Sequence, residues 1–450
     1  MECFLFQQIQ ICGLKAEGQP IAPVTLHIKE DYVSVLKSLG LEEQNAFQQR
    51  LFYAALRAMQ LGVRVDLERR AQITAELGQE IEKCDEFITT VLGHPLNVRS
   101  SPQMAGLFYG DLAQKPVMSR AKKGILPHVS CDDEALQVVA KREPLLRPLV
   151  DKILHRRSLS VLKTSFAEAR LGEDGRMRCS LNICGTETYR LSSSQDAFGS
   201  GMNLQTIPDD NTKASVKAGA RGERIPNIKA MFIPDEGYTF FNLDLDRDDL
   251  HVVVWEAGDT ELKAVLREGA DIHAENAKVL GCDRELAKSF IHGTNYGGSS
   301  RTMAIVCGIS THIADQYQRR WFSAHPGIHR WHKEVERKLW ATREVHNAFG
   351  YRRHYFGRIE GLLPEALAWI PQSCVACIIN RIWVRLYENH PENIQVLLQV
   401  HDSLAGQFKT SWVEPATANL TLSNQIVPYP EPLTIPLSLK TSPVSWGMCA

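Results

Sequence analysis

Apolar residues recur at helical spacing from Ala46 to Leu61 (Phe47, Leu51, Tyr53, Ala54, Leu56, Met59), and Gly62 then stands where a helix C-cap belongs. Val63, Val65 and Leu67 suggest a short strand or turn, and a long helix with a polar face follows over roughly 67 to 92. Prolines and glycines break up 94 to 133, and basic helices cover about 133 to 166. From 171 to 230 the chain is rich in Gly, Ser and Asn and reads as strands and turns. From Tyr238 to Asp246 apolar and polar positions alternate, as on a half-buried strand. Helical spacing then dominates to about 345, and a further helix over about 365 to 388 precedes a second apolar run. This order predicts an α+β fold rather than regular βαβ repeats.

Two of these strands carry acid where apolar residues would be cheaper. In LLQVHDSLAGQF (397 to 408), His401 and Asp402 interrupt an apolar segment at the position of a hairpin turn. Asp is common in turns, so the pair is either turn chemistry or a carboxylate held rigidly for a metal. In YTFFNLDLDRDDLHVVVWEAGD (238 to 259), Asp244, Asp246, Asp248 and Asp249 lie within six positions. Like charges this dense repel unless solvated or neutralised by a cation. The segment is either a solvated strand end with acidic N-caps for the next helix, or a divalent cation site.

DRELAKSFIHGTNYGGS (283 to 299) is basic on one side. Asp283 is a candidate N-cap, and Arg284, Lys288, His292 and Tyr296 fall at i, i+4, i+8 and i+12. At about 100° per residue they share a face of roughly 120°. Two cations near a helix N-terminus suit a polyphosphate, and an aromatic ring further along suits a base. The same pattern also describes a solvated helix. No phosphate-cradling glycine loop occurs in the chain.

Totals constrain the rest. With 450 residues and a formal charge of −1, the chain has room for several domains and has no global basic field, so nucleic-acid contact would need local patches. Eleven cysteines without framework spacing suit a reducing compartment, and the lone CxxC at Cys374 and Cys377 has no second pair for zinc. The N-terminus lacks a signal-peptide pattern, and no window resembles a membrane span. A non-secreted, cytoplasmic protein is expected.

The acidic strand, the cationic helix and the HD hairpin, in that order, resemble the polymerase domain of family A DNA polymerases, the DNA polymerase I type. LDLDRDDLHVVVWEAGD is similar to the family's motif A, RELAKSFIHGTNYG to motif B and LLQVHDSL to motif C. TETYRLSSS followed by NLQTIP resembles TGRLSSS…NLQNIP, and DIHAENA (271 to 277) resembles DIHTxTA. RAMQLGVRVD, GHPLNVRSSPQMAGLFYGDL, LSVLKTSF and IPLSLKTSPVSW resemble the segments that open the palm, form the thumb and close the palm. The likeness covers about residues 45 to 450, and it leans toward bacteriophage members in LDLDRxDL…VVVWE and IPQS.

The resemblance implies a right-hand architecture: an antiparallel-sheet palm with mostly helical fingers and thumb. Residues 45–65 would start the palm, 66–172 form the thumb, 173–265 the palm with motif A, 266–377 the fingers, and 378–450 the palm with motif C. It implies a DNA-directed DNA polymerase with two Mg²⁺ ions, replaceable by Mn²⁺, on Asp244, Asp402 and the Leu245 backbone. Lys288 would join the two aspartates in catalysis. Arg284, Lys288, His273, His292, Tyr296 and Asp249 would meet the deoxynucleoside triphosphate. Arg190, Asn203, Gln205, Gln372 and His401 would read the primer–template minor groove, whose acceptors are largely shared by all base pairs, or hold the primer end. Lys163, with Arg156 and Arg157 upstream, would meet phosphates, and the basic stretches 330–338 and 351–358 are candidates for template contacts. The implied partners are primer–template DNA and nucleotides, with no membrane, for a monomer that could be joined by replication proteins or a separate exonuclease.

Departures from the family pattern bear on specificity. Asp249 stands where a Glu is usual, against the sugar, and His292 where Phe or Tyr is usual. Ser403 replaces the Glu that commonly follows the catalytic Asp. Residues 1–44 are too few for a 3′–5′ exonuclease domain and contain no D-x-E pair, so proofreading is not expected from them. Two other readings stay open: a single-subunit RNA polymerase, and a non-catalytic primer–template-binding relative.

Overall fold

The computed structural model describes residues 32–119, 126–196, 199–207 and 225–449. Of residues 1–44, which the resemblance leaves as an N-terminal extension or remnant, 1–31 lie outside the described residues. In chain order the main elements are α1 (Glu42–Leu61), β1 (Val63–Val65), α2 (Leu67–Leu92), α3 (Asp133–Arg142), α4 (Arg147–Val161), β2 (Arg176–Met177), β3 (Phe232–Ile233) and β4 (Tyr238–Leu245). Then come α5 (Asp248–Ala257), α6 (Thr260–Arg267), α7 (Ile272–Leu280), α8 (Arg284–Asn295), α9 (Ser300–Cys307), α10 (Thr311–Ala324) and α11 (Pro326–Thr342). The chain closes with β5 (Glu344–His346), β6 (Arg352–His354), α12 (Leu363–Asn389), β7 (Ile394–Val400), β8 (Ser403–Lys409), α13 (Val413–Leu422) and β9 (Leu437–Ser442).

The chain divides into two compact units. One comprises residues 61–180, 193–240 and 441–450. Its α2 runs over the residues that the sequence predicts: the Asp66 side chain accepts from Arg69 N at 2.9 Å at the start, and Gly93 at φ 79° ends it. A core of Ile88, Met104, Phe108, Leu136, Val150 and Ile153 packs α2 against α3 and α4. Beside it stands a three-stranded sheet in the order β2-β1-β3.

The other unit comprises residues 1–60, 181–192 and 241–440. Its sheet has the order β9-β4-β8-β7, with β7 and β8 forming an antiparallel hairpin. Phe241 stacks on Phe408 with ring centroids 6.3 Å apart. The register shifts between Ala405 and Gly406, and a Cβ at Gly406 would sit 2.3 Å from Gln395 O and 2.8 Å from the Phe241 ring, so only glycine fits there. α12 is long and apolar enough to cross a bilayer, which the sequence reading did not anticipate, yet 83% of its apolar window is buried inside the protein. It is apolar on all sides because it is a core helix.

The C-terminal end of α8 is fixed by the two helices beyond it. Trp321 Nε1 of α10 donates to Asn295 Oδ1 at 2.9 Å, and His332 Nε2 of α11 lies 2.9 Å from Asn295 O. His332 donates to that carbonyl, a bond that favours the charged ring, but burial outweighs it and lowers the pKa to about 4, so the ring is neutral near pH 7. Unfolded His takes up a proton near pH 6.5, so the unfolded chain binds more protons between pH 6.5 and 4. Stability therefore falls as pH falls through that window and levels off below it. The shift corresponds to at most about 3 kcal/mol. Urea unfolding of wild type and His332→Gln, which keeps a neutral donor, checks this: the loss between pH 6.5 and 4.5 is smaller in the variant, and equal losses would contradict it.

Candidate active site

The HD pair is the turn of the β7–β8 hairpin. Val400 pairs with Ser403, so His401 and Asp402 span the connection, with His401 at φ 57°. Asp402 is placed against the acidic strand: Leu245 N donates to Asp402 O at 3.3 Å. Asp244, one residue earlier on β4, is half-buried. Asp246 N donates to Pro436 O at 2.9 Å just ahead of β9. Arg247 turns the chain into α5 at φ 53° and donates through Nη1 to Ala270 O at 2.9 Å. Strand and hairpin are thus neighbours through their backbones, which the sequence alone could not establish.

That neighbourhood crowds carboxylates. Burial pushes the Asp248 carboxyl up to about 8, helped by the charges of Asp249 and Asp402 and opposed by Arg190. Asp402 is also raised, first by burial and further by Asp249, with Arg190 and His401 pulling the other way. Asp249 Oδ2 accepts from Tyr296 Oη at 2.7 Å. Its Oδ1 has no hydrogen bond, the Arg190 guanidinium standing 3.9 Å off. The family resemblance gives roles to Asp244 and Asp249 but none to Asp246 or Asp248. The structure sets Asp248 apart as the one held close to its protonated form.

These groups fit a hard divalent cation. Asp249 and Asp402 raise the proton affinity of Asp248, Asp249 raises that of Asp402, and the buried Asp249 Oδ1 accepts no hydrogen bond. Among the described residues no three His, Cys, Asp or Glu are arranged to hold a metal by themselves. A cation here would complete its shell from water or substrate phosphate, as Mg²⁺ commonly does.

The cationic helix forms as its spacing predicts. The Asp283 side chain accepts from Leu286 N at 2.9 Å, and α8 ends with Tyr296 as its C-cap. Arg284 is engaged rather than free: Nε donates to Asp271 Oδ2 at 2.8 Å and Nη1 to Glu285 Oε1 at 2.6 Å. Asp271 also caps α7 through His273 N at 3.0 Å. Burial and the charges of Lys288 and Arg284 lower the His273 pKa, so His273, Lys288 and Arg284 form one electropositive group. His292 and Tyr296 meet edge to face at 4.7 Å, and burial with Asp249 pushes the Tyr296 phenol far above its usual range.

Gln372 is half-buried on α12, directly after Pro371. Asn203, Gln205 and Lys163 belong to the other unit, where Asn203 Oδ1 accepts from Ser193 Oγ and from Gln205 N (3.1 Å), and Lys163 pairs with Glu168. Arg156 grips Asp85 at 3.0 and 3.1 Å, and Arg157 donates to Val98 O and Cys131 O, so both serve that unit's own structure. The basic stretches are largely neutralised: Arg337 and Lys338 pair with Glu334, Lys333 with Glu336, Arg352 with Glu344, and Arg353 with Glu187 and Glu365. Cys374 and Cys377 are buried, their sulfurs 3.9 Å from Tyr429 Oη and 3.7 Å from Asn347 Nδ2.

The sequence model of DNA polymerase family A matches residues 67–445. The thermostable DNA polymerase I of Thermus filiformis is 30% identical over 403 residues, which are 84% of this chain and 45% of the relative. DNA polymerase I of Geobacillus stearothermophilus is 28% identical over 76% of this chain and 39% of its own length. The chain thus spans about half the length of the curated relatives it matches. Among solved structures, the POL domain of Pol1 from M. smegmatis, in complex with DNA primer-template and dNTP, superposes with a TM-score of 0.81. That match covers 98% of this chain and 78% of the other at 20% identity, which establishes a shared α+β fold.

A cation that neutralises the crowded carboxylates stabilises the native state by mass action. Titrating Mg²⁺ at pH 8 against an EDTA control therefore raises the melting temperature of the wild type and leaves Asp402→Ala unchanged; an equal rise in both would remove Asp402 from the site.

Proposed function

The chain belongs to DNA polymerase family A, and we propose that it extends a DNA primer on a template by transferring deoxynucleotides, with Mg²⁺ held by Asp244, Asp402 and the Leu245 carbonyl. The observation that carries this reading is the Leu245–Asp402 backbone bond, which seats the HD turn beside the acidic strand amid carboxylates in need of positive charge. Cations held there would supply charge neutralisation for the attacking and leaving oxygens of an in-line displacement. The primer 3′-hydroxyl gives up its proton to solvent as its oxygen forms the new bond to the α-phosphorus, the bond to the bridging oxygen breaks, and pyrophosphate leaves.

The chain's own residues bind and orient. His273, Arg284 and Lys288 receive the triphosphate, and Arg284 exchanges Asp271 for phosphate as it does so. Lys288 balances charge on the departing pyrophosphate. Tyr296 and His292 flank the incoming base and sugar, with Asp249 beneath. Arg190, His401 and Gln372, and in the other unit Asn203 and Gln205, read the minor groove, while Lys163 meets backbone phosphate. Positioning and electrostatics account for most of the rate in such transfers.

Primer extension with Mg²⁺, run with dNTPs and NTPs separately, tests the assignment. Wild type extends with dNTPs, and Asp244→Ala and Asp402→Ala each lose on the order of 10³-fold or more, the scale of removing transition-state charge stabilisation. Activity persisting in either variant would move the metal site elsewhere.

Asp249 bears on sugar choice. Its Oδ2 is tied to Tyr296, so the carboxylate stays against the ring rather than reaching out over the sugar. A side chain one methylene shorter than the family's Glu leaves more room for a 2′-hydroxyl. Asp249→Glu therefore raises the dNTP-over-NTP ratio of kcat/KM; equal selectivity in the two enzymes would sink the idea.

A further inference from the structure

Two site residues each follow a non-glycine residue in the left-handed backbone region. Tyr189, at φ 60°, precedes Arg190, and His401, at φ 57°, precedes Asp402. Side chains disfavour this region, and such residues persist only where the surroundings over-determine them. Tyr189 stands where the similar family segment has glycine, which adopts this conformation freely.

The surroundings of Tyr189 are correspondingly specific. Its ring meets Tyr351 at 4.5 Å and Trp369 at 6.4 Å, both edge to face, and its hydroxyl donates to Arg352 O at 3.3 Å. Two residues earlier, Glu187 O accepts from Trp369 Nε1 at 2.7 Å. The carbonyl of Tyr189 accepts from Asn380 Nδ2 at 3.2 Å. Asn380 Oδ1 accepts from Gln399 Nε2 at 3.0 Å, and that same Nε2 lies 3.5 Å from His401 O. Asn380 and Gln399 are each 1% exposed. Two amides buried between an apolar helix and an apolar strand thus connect one left-handed corner to the other. Amides this deep are costly unless bonded, and here their bonds end on the carbonyls that precede Arg190 and Asp402.

We propose that Asn380 and Gln399, with Tyr189, form a positioning bridge that holds Arg190 and Asp402 in register with each other, a role that rests on the polymerase reading of the site. None of the three is a catalytic residue. The bridge fixes where the Arg190 guanidinium stands against Asp249 and Asp402, and so where positive charge meets the carboxylates. It acts on turnover through those two groups. Misplacing a reacting group by an ångström costs up to about a hundredfold.

The test compares wild type with Asn380→Leu, Gln399→Leu, their double variant and Tyr189→Gly, each shown by urea unfolding to be folded. Three readouts are taken: kcat of primer extension, the Mg²⁺ concentration giving half the maximal rate, and primer–template affinity in EDTA by anisotropy. Each single amide variant lowers kcat about tenfold or more, shifts the Mg²⁺ half-saturation upward and weakens affinity in EDTA. The double variant loses no more than the worse single, because the two amides act as one unit. Folded variants with wild-type Mg²⁺ dependence and affinity, or additive losses, overturn the bridge and leave a purely structural pair. Should both amide variants fail to fold, Tyr189→Gly decides. It keeps both amides and releases the corner, and its affinity falls to that of Arg190→Ala with no further loss in the pair. Wild-type affinity in Tyr189→Gly overturns the proposal. A wild type that binds primer–template without extending it overturns the assigned activity instead, and the bridge then stands or falls on affinity alone.

Discussion

Repulsion among carboxylates governs the architecture of the site. Asp248, Asp249 and Asp402 converge from the start of α5 and the tip of the β7–β8 hairpin, and burial removes much of the water that would screen them. Unit charges a few ångströms apart at an effective dielectric of about 20 interact by several kcal/mol, so such a cluster cannot hold every charge at neutral pH. The protein answers in three ways. Asp248 stays close to its protonated form, Tyr296 donates to Asp249, and Arg190 faces both Asp249 and Asp402. These leave the corner short of positive charge, which is the state in which a divalent cation adds most.

Backbone strain gathers where the charges gather. Arg247, Tyr189 and His401 all have positive φ, and each adjoins a carboxylate or guanidinium of the site. Strain of this kind costs about 1–3 kcal/mol per residue, and it is held by bonds arriving from packed elements: Ala270 O for Arg247, Asn380 for Tyr189, Gln399 for His401. The same logic applies at α8. Trp321 and His332 bind Asn295 at its last turn and so set the pose of Tyr296, the residue that caps the helix and donates to Asp249.

The parts of this site that depend on local periodicity were legible in the sequence. The alternation of Phe241, Leu243 and Leu245 with Asn242 and Asp244, the Asp283 cap, the i, i+4 series and the HD turn all rest on neighbours in the chain, and each formed as the pattern predicts. What escaped was decided by tertiary partners. Asn380 and Gln399 look like polar interruptions in apolar runs, with no local signal that they face one another. Asp248 reads as one acid among four until burial singles it out. The basic stretch 351–358 looked available for nucleic acid because its glutamate partners, Glu187, Glu344 and Glu365, lie elsewhere in the chain, whereas 330–338 carries its own partners, Glu334 and Glu336, one helical turn away. Arg284 fell on the expected face, yet its engagement by Asp271 depends on how α7 meets α8.

α12 joins these constraints. A helix buried on all sides gains its stability from apolar contact, which is non-directional and fixes neither rotation nor register. Its polar interactions supply both. Trp369 Nε1 reaches Glu187 O, Ser373 Oγ accepts from Asn347, and Asn380 reaches Tyr189 and Gln399. These residues are spread over about three turns and bind three separate segments: the loop ahead of Arg190, the turn between β5 and β6, and the strand leading into the HD turn. A slip of one residue along the helix would leave all of them buried and unbonded at once, each costing about 1–3 kcal/mol. Hydrophobic burial therefore builds the helix, and a few amide, indole and hydroxyl groups within it determine where the charged residues of the site stand.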